Sequence, residues 1–384
     1  MISLSAVQKT SKLTKSRKRK CLIIDDSTIK RNRSSSVELL ARVYDHVEQQ
    51  YQLGFTYLVL AWTDGFSTYP VDFALMSSKS DKNCFNQPKH LDGRKAADKR
   101  KIESRKSKPE VVFNMIKSAL NKGFEADYVL FDSWFTTAPL IASLRGLGLH
   151  VIGMLKHMNN NCYEYKKAKY PLKILIEVLQ RKGAFARKGN GVIGSVVVNM
   201  CGSKNKPANI PVKLVFVRDH RNTSKILTLL CTDLSLSDEE IIQTYVKRWK
   251  IEEMFYTQKN FLKLVSGSMA RKYNSIIAHF TLVCIANIFL EFHRRWSEDE
   301  RSIGALFEDA NAEINDLPFD IALQKLLSIV YTLIDALRDA GCLKDGCYEK
   351  AVGIADTLIQ KWYSGLPAFL TKLYELGDAH KSAA

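Results

Sequence analysis

The stretch Ser237–Lys259, SDEEIIQTYVKRWKIEEMFYTQK, lies within a run (237–266) that contains neither Gly nor Pro. Ser237 followed three residues later by Glu240 has the form of a capping box, so the sequence predicts a helix beginning there. Tyr245, Arg248, Glu252 and Lys259 fall at offsets of 0, 3, 7 and 14 along it. At ~100° per residue they occupy about 0°, −60°, −20° and −40°, a single narrow stripe. A stripe that faces a core should be apolar, whereas this one is hydroxyl, cation, anion, cation. Solvated i,i+4 ion pairing accounts for Arg248 with Glu252. It gives no reason for an aromatic at one end and a lysine two turns beyond.

Upstream, short apolar stretches alternate with helical periods. Cys21–Ile24 stops at Asp25-Asp26, and Tyr57–Trp62 leads through Thr63-Asp64-Gly65 into Val71–Met76. Two such stretches around an Asp-Gly turn predict a β-hairpin. The polar, basic residues 94–108 read as a loop. From Pro109 the period turns helical, with Val112, Met115, Ile116 and Leu120 on one face and Gly123 as its stop. Tyr128–Phe131 predicts a buried strand ending at Asp132, a helix runs through Leu140 and Leu144, and Val151–Leu155 is a further strand. Strand-like pieces at Val196–Met200, Val212–Val217 and Ile226–Cys231 make residues 157–233 read as an all-β insertion, and the chain is helical thereafter. This order predicts an α/β protein built on a mixed sheet.

Of 384 residues, 57 are Lys or Arg and 40 Asp or Glu, a formal charge of +17. The excess is local. Residues 1–20 carry +7, residues 79–108 carry +7 and residues 161–190 carry +6, which leaves −3 for everything else. Three separate basic runs on a near-neutral body are the footprint of a polyanion partner, because each neutralised phosphate releases counterions. A composition 46% hydrophobic and 25% charged excludes a disordered chain. The N-terminal residues MISLSAVQKTSK are followed by charge and do not read as a secretory signal. Ile276–Phe292, the longest apolar stretch, contains His279, Asn287 and Glu291 and reads as a buried helix, so no membrane partner is expected. Eight scattered cysteines without a C-x-x-C pair point to a reducing compartment and away from zinc. Gly189-Asn190-Gly191-Val192-Ile193-Gly194 matches a dinucleotide-binding pattern, but the β-branched Val196–Val198 follows where a helix is required, so it reads as a hairpin turn.

The spacing Tyr245-x2-Arg248-x3-Glu252-x6-Lys259 resembles the YREK signature of DDE transposases of bacterial insertion sequences. Ile24-Asp25-Asp26-Ser27-Thr28 resembles that family's first acidic motif, where the x-Thr that follows selects Asp26. Leu130-Phe131-Asp132-Ser133-Trp134-Phe135 resembles the second. The resemblance covers about residues 20–300. It implies a ribonuclease-H-like fold with a β-rich insertion between Asp132 and Glu252 and a helical C-terminal region. It implies cut-and-paste transposition: metal-dependent strand cleavage and strand transfer, through a hairpin intermediate in a dimeric synaptic complex on double-stranded DNA. Asp26, Asp132 and Glu252 are then catalytic and hold two Mg²⁺ ions, for which Mn²⁺ substitutes. Tyr245, Arg248 and Lys259 position the DNA.

The chemistry is consistent with these residue types. Hard divalent cations take carboxylate oxygens, a guanidinium grips phosphate in bidentate fashion, and a tyrosine hydroxyl donates to phosphate. Strand alternation puts Asp25 and Asp26 on opposite faces, and periodicity alone leaves open which one faces the site. Trp134 is expected behind the sheet, with base stacking as the other reading. The expected organisation is a basic segment (1–20), a first catalytic part (21–156), the β-rich insertion (157–233), the Glu-bearing helix and end of the catalytic domain (234–300) and C-terminal helices (301–384). Only 25 residues precede Asp26, so the end-recognition domain of relatives is expected to be absent. The competing reading is accordingly a catalytically silent DNA-binding remnant, with a structure-directed nuclease behind it. Either form is expected in the cytoplasm, at the nucleoid.

Overall fold

In a computed structural model, residues 2–14, 19–45, 48–88, 90–156, 162–183, 185, 191–203, 206–219, 225–299, 301–315 and 319–364 are described. Lys15, Arg17, Lys18 and Lys89, Arg187 and Lys188 of the three basic runs, and Gly189-Asn190 of the glycine pattern, lie outside them. The strands form one mixed sheet. Its first half comprises β1 (Cys21–Lys30), β2 (Ala41–Asp45), β3 (Gln50–Thr63), β4 (Thr68–Met76), β5 (Tyr128–Phe131) and β6 (His150–Met154). Its second half comprises β7 (Cys162–Tyr165), β8 (Ala168–Pro171), β9 (Val192–Ser203), β10 (Lys206–Arg218) and β11 (Ile226–Cys231). The order is β2-β3-β1-β5-β6-β11-β10-β9-β7-β8, with β4 also on β3. β1, β5 and β6 are mutually parallel, while β3 on one side and β11 on the other run antiparallel to them.

The β3–β4 hairpin forms at the predicted Asp-Gly turn. Asp64 Oδ1 accepts from the Phe66 and Ser67 amides, both at 2.9 Å, and Gly65 takes φ +97°, a backbone region that costs glycine nothing.

Alternation along β1 divides the core into two layers. Leu22 and Ile24 face α1 (Ile2–Ser11), α3 (Lys108–Asn121), α4 (Ala138–Arg145) and α5 (Leu172–Arg181). Cys21 and Ile23 face α6 (Asp238–Val246), α7 (Trp249–Asn260) and α8 (Tyr273–Trp296). Helix α8 is long and apolar enough to cross a membrane, and here it buries Tyr273, Ile276, Phe280, Val283, Cys284 and Ile288 in the core. The second compact unit, residues 304–384, contains α10 (Phe319–Asp339) and α11 (Asp345–Ser364) in contact with one another, with Tyr331 donating to Asp356 at 2.6 Å. The second unit opens within α9 (Ile303–Asn315).

Several elements depart from the sequence-based expectation. The basic residues 94–108 contain α2 (Ala96–Glu103), which is seated by charge rather than by an apolar stripe. Lys101 pairs with Glu38 at 2.7 Å, and Arg100 reaches Asp72 at 2.9 Å and the Phe73 carbonyl at 2.7 Å. The N-terminal basic run begins with α1, which buries Ala6 and Val7 against the sheet. The segment expected to be all-β includes α5, whose Leu172, Leu175, Ile176 and Leu179 keep helical spacing and are buried. Its long strands β9 and β10 extend the main sheet. The glycine pattern leads into β9 rather than a helix, as the β-branched residues require.

The single helix expected over 237–266 is two. Ser237 accepts from the Glu240 amide at 3.2 Å and its own amide donates to Glu240 Oε2 at 2.9 Å, so the capping box forms. At Lys247-Arg248 the ladder tightens, with the Arg248 amide donating to the Tyr245 carbonyl at 2.9 Å, and α7 then starts afresh. The stripe geometry of an uninterrupted helix therefore does not apply, and the positions of the four residues are set by tertiary contacts.

Candidate active site

β5 ends at Phe131, opposite Ile24 of β1. The next residues on the two strands are Asp132 and Asp25-Asp26, so acids from neighbouring parallel strands meet at the carboxyl end of β5. That is the end of an α/β sheet at which ligands are usually bound. Alternation sends Asp25 to the face covered by α6 and α7, and Asp26 to the face covered by α3.

On the first face, the guanidinium of Arg248 spans two carboxylates. Nη1 is 2.9 Å from Asp25 Oδ2 and Nη2 is 2.8 Å from Glu252 Oε1. Its Nε is buried and without a partner. Burial opposes the charge, but Tyr245, Asp25 and Glu252 outweigh it and hold Arg248 above its ordinary range. Asp25, which also accepts from the Asp26 amide at 2.8 Å, is pushed up to about 7, chiefly by burial. Arg248 acts against that shift, and the charges of Asp132 and Asp26 add to it. The Arg248 guanidinium lies 5.1 Å from the exposed Trp249 ring and 5.9 Å from the Tyr245 ring. Tyr245 is buried, which pushes its hydroxyl up to about 12, with Arg248 opposing and Asp132 reinforcing. Two residues along β1 from Asp25, the Ser27 hydroxyl accepts from Lys259 Nζ at 2.5 Å, and burial lowers the Lys259 ammonium below its ordinary range.

On the other face, Asp26 Oδ2 receives Lys108 Nζ at 2.7 Å. Asp132 Oδ1 accepts from the Trp134 amide at 2.8 Å and its carbonyl accepts from Thr136 Oγ1 at 2.7 Å. Burial raises Asp132, the Trp134 amide opposes this, and the charge of Asp26 raises it further. The structure thus brings Tyr245 and Arg248 into electrostatic reach of both Asp25 and Asp132, and Asp26 into reach of Asp132, while Glu252 is joined to this group through Arg248. Lys259 stands further along β1 at Ser27.

Trp134 is not behind the sheet. It is 54% exposed, and Lys156 Nζ is 3.9 Å above its ring. The turn that follows Asp132 instead buries Phe135, 6.4 Å from Phe131. Lys108, Lys156 and Ser27 were not identified from sequence. Only Lys108 had a signal, as a cation at the start of the helix predicted from Pro109.

Two family models match the chain: that of the DDE superfamily endonucleases over residues 7–169, and that of the archaeal transposase ISC1217 over residues 91–291. The first range contains Asp26 and Asp132, and the second contains Asp132 and Glu252. Comparison with curated protein sequences finds no match. Among solved structures, a piggyBac transposase synaptic complex with hairpin DNA is similar at 14% identity and a TM-score of 0.40, over 75% of this chain and 51% of that one. The chain therefore spans about half the length of that transposase. Because the ISC1217 model matches just over half of its residues, the chain belongs to the DDE transposases of that family.

Proposed function

We propose that the protein is a cut-and-paste transposase of an insertion sequence, cleaving and joining double-stranded DNA with Asp26, Asp132 and Glu252 on a ribonuclease-H-like frame. The observation that carries this reading is the meeting of Asp132 with the β1 acids and the Tyr245–Arg248–Glu252 segment, in a chain of the DDE transposase family. Asp26 is preferred to Asp25 because Asp25 is the more enclosed and is committed to Arg248, whereas Asp26 pairs with the part-exposed ammonium of Lys108.

The donor chemistry fits a hard divalent cation such as Mg²⁺ or Mn²⁺. All the candidate ligands are carboxylates, and Asp132 is raised by burial and by the charge of Asp26, a repulsion that a cation relieves. Among the described residues no three acidic, His or Cys side chains converge on one point, and Glu252 is drawn to Arg248. Divalent cations held by Asp26, Asp132 and Glu252 would stabilise the charge that develops on phosphoryl oxygens during in-line displacement. The protein's own residues do the positioning. Arg248 offers a fork of N–H donors to a phosphate, the Tyr245 hydroxyl adds a donor, and Lys259 supplies a point charge beside Ser27. The basic runs hold the duplex, and two copies bring two ends together.

Incubation of the purified chain with DNA carrying the ends of its element, with Mg²⁺ or Mn²⁺, is expected to give metal-dependent nicks. These vanish in Asp26→Ala, Asp132→Ala and Glu252→Ala; nicks that persist in the three variants defeat the assignment. The commitment of Glu252 to Arg248, with no three carboxylates converging among the described residues, favours one second reading, a silent DNA-binding remnant, which predicts salt-sensitive duplex binding with no nicks at all.

A further inference from the structure

Lys108 closes the basic run 79–108 and opens α3, and its ammonium reaches across to β1, 2.7 Å from Asp26 Oδ2. The side chains are 37% and 22% exposed, so the pair is open to solvent on one side. Several other cations of the run are engaged elsewhere. Lys106 pairs with Glu110, Arg105 with Asp81, Lys101 with Glu38 and Arg100 with Asp72. Among the described residues of this run, Lys108 is a cation paired with the acid centre.

We propose that Lys108 is the internal counter-ion of Asp26, holding that carboxylate in the cation-free protein and yielding it to a divalent cation. The inference rests on Asp26 being a cation ligand. An ammonium and a metal ion compete for the same oxygen, and at a few ångströms they also repel one another. Without a counter-ion, the Asp26 carboxylate would stand uncompensated beside the carboxylates of Asp25 and Asp132 at the neighbouring strand ends. The geometry suits an exchangeable partner. Pro109 fixes the backbone at the start of α3, while the long Lys108 side chain is part-exposed and can swing away at the small cost of a partly solvated ion pair. Lys108 is therefore a positioning residue: it sets the cation concentration at which the acid centre fills.

The test is Mn²⁺ titration of the full chain without DNA, read from the electron paramagnetic resonance of free Mn²⁺ at fixed ionic strength. Lys108→Met is expected to bind Mn²⁺ about tenfold more tightly than the unaltered chain. Lys108→Gln should match it, which keeps the test available should the Met variant fold poorly. Lys106→Met removes a neighbouring charge that is paired elsewhere and should stay within about twofold of the unaltered chain. Unchanged or weaker binding in both Lys108 variants, or an equal gain in Lys106→Met, overturns the proposal. Asp26→Asn separates the two levels. Loss of the site in that variant, with no gain at Lys108, refutes the counter-ion alone, whereas undiminished binding in Asp26→Asn removes Asp26 as a ligand and the counter-ion with it.

Discussion

The guanidinium of Arg248 is held by Asp25, Nη1 to Oδ2 at 2.9 Å, from a strand more than two hundred residues earlier in the chain. Both side chains are largely buried, 9% and 16% exposed. This pair fixes where the fork points. Arg248→Lys keeps the charge but cannot span Asp25 and Glu252 together, and should lower cleavage on the order of 10²-fold with little loss of duplex affinity. Single-turnover cleavage beside a binding titration separates the two effects.

Asp25 also predicts a pH dependence. Its folded pKa, pushed up to about 7, lies above that of an unfolded aspartate, so between these values the folded chain keeps a proton that the unfolded chain gives up. The corresponding stability is fully present below about pH 4, is lost as pH rises toward 7, and is flat above. Asp25→Asn should flatten this slope, worth at most about 4 kcal/mol. Asp132, Glu103 and Glu291 are shifted in the same direction, chiefly by burial, and leave a residual slope. Melting temperatures from pH 4 to 8 in the presence of chelator test the difference; identical slopes in the two proteins refute it.

Lys259 is expected to act on the DNA backbone without regard to sequence. Lys259→Gln should weaken binding to element-end and unrelated duplexes alike and reduce the salt slope of binding by about 1. Affinities measured from low to moderate salt decide this, and a slope equal to that of the unaltered chain argues against a phosphate contact.

The capping box at Ser237 supports α6 without touching the acids. Ser237→Ala should cost about 1 kcal/mol of stability, and Glu240→Ala should cost a comparable amount, since it removes the reciprocal bond. Arg19 also reaches Glu240, at 2.5 Å, through a part-exposed pair that adds little. Chemical denaturation of the two single variants and the double variant reads the coupling.

Trp134, exposed beside Asp132 with Lys156 above its ring, is available to a base face. Trp134→Ala should leave stability within about 0.5 kcal/mol and weaken binding to DNA with unpaired ends by about 1–3 kcal/mol. Comparison of blunt duplex with frayed or single-stranded ends provides the measurement.

What the sequence revealed, and what it hid, follows the range of the forces involved. The capping box, the Asp-Gly hairpin and the strand ending at Asp132 depend on neighbouring residues and on burial, and all three could be read directly. The break at Lys247-Arg248 could not. The break is accompanied by Lys247 donating to the Arg19 carbonyl at 2.7 Å and by Arg248 turning to Asp25, contacts with remote parts of the chain that no helical period encodes. Helix α2 was hidden for a related reason, since its residues are satisfied by ion pairs with Glu38 and Asp72. The face on which Trp134 lies depends on the turn closed by the Asp132 carboxylate and the Trp134 amide, where strand alternation has already ended. Lys108 lay in a charged run whose members look alike in sequence and acquire different roles only through their partners.

The pairing of β6 with β11 has a consequence for tolerance to change. Ile152 stands opposite Cys231 and Met154 opposite Leu229, so the chain that runs on from β6 to build the outer strands β7–β10 returns in β11 beside its point of departure. The span between those strands is an excursion whose two ends are pinned next to one another. Its length is then nearly decoupled from the distance between Asp132 and Glu252, because lengthening a loop whose ends are already fixed costs little more entropy. Insertions, deletions or substitutions within that excursion are therefore expected to leave the spacing of the acids intact.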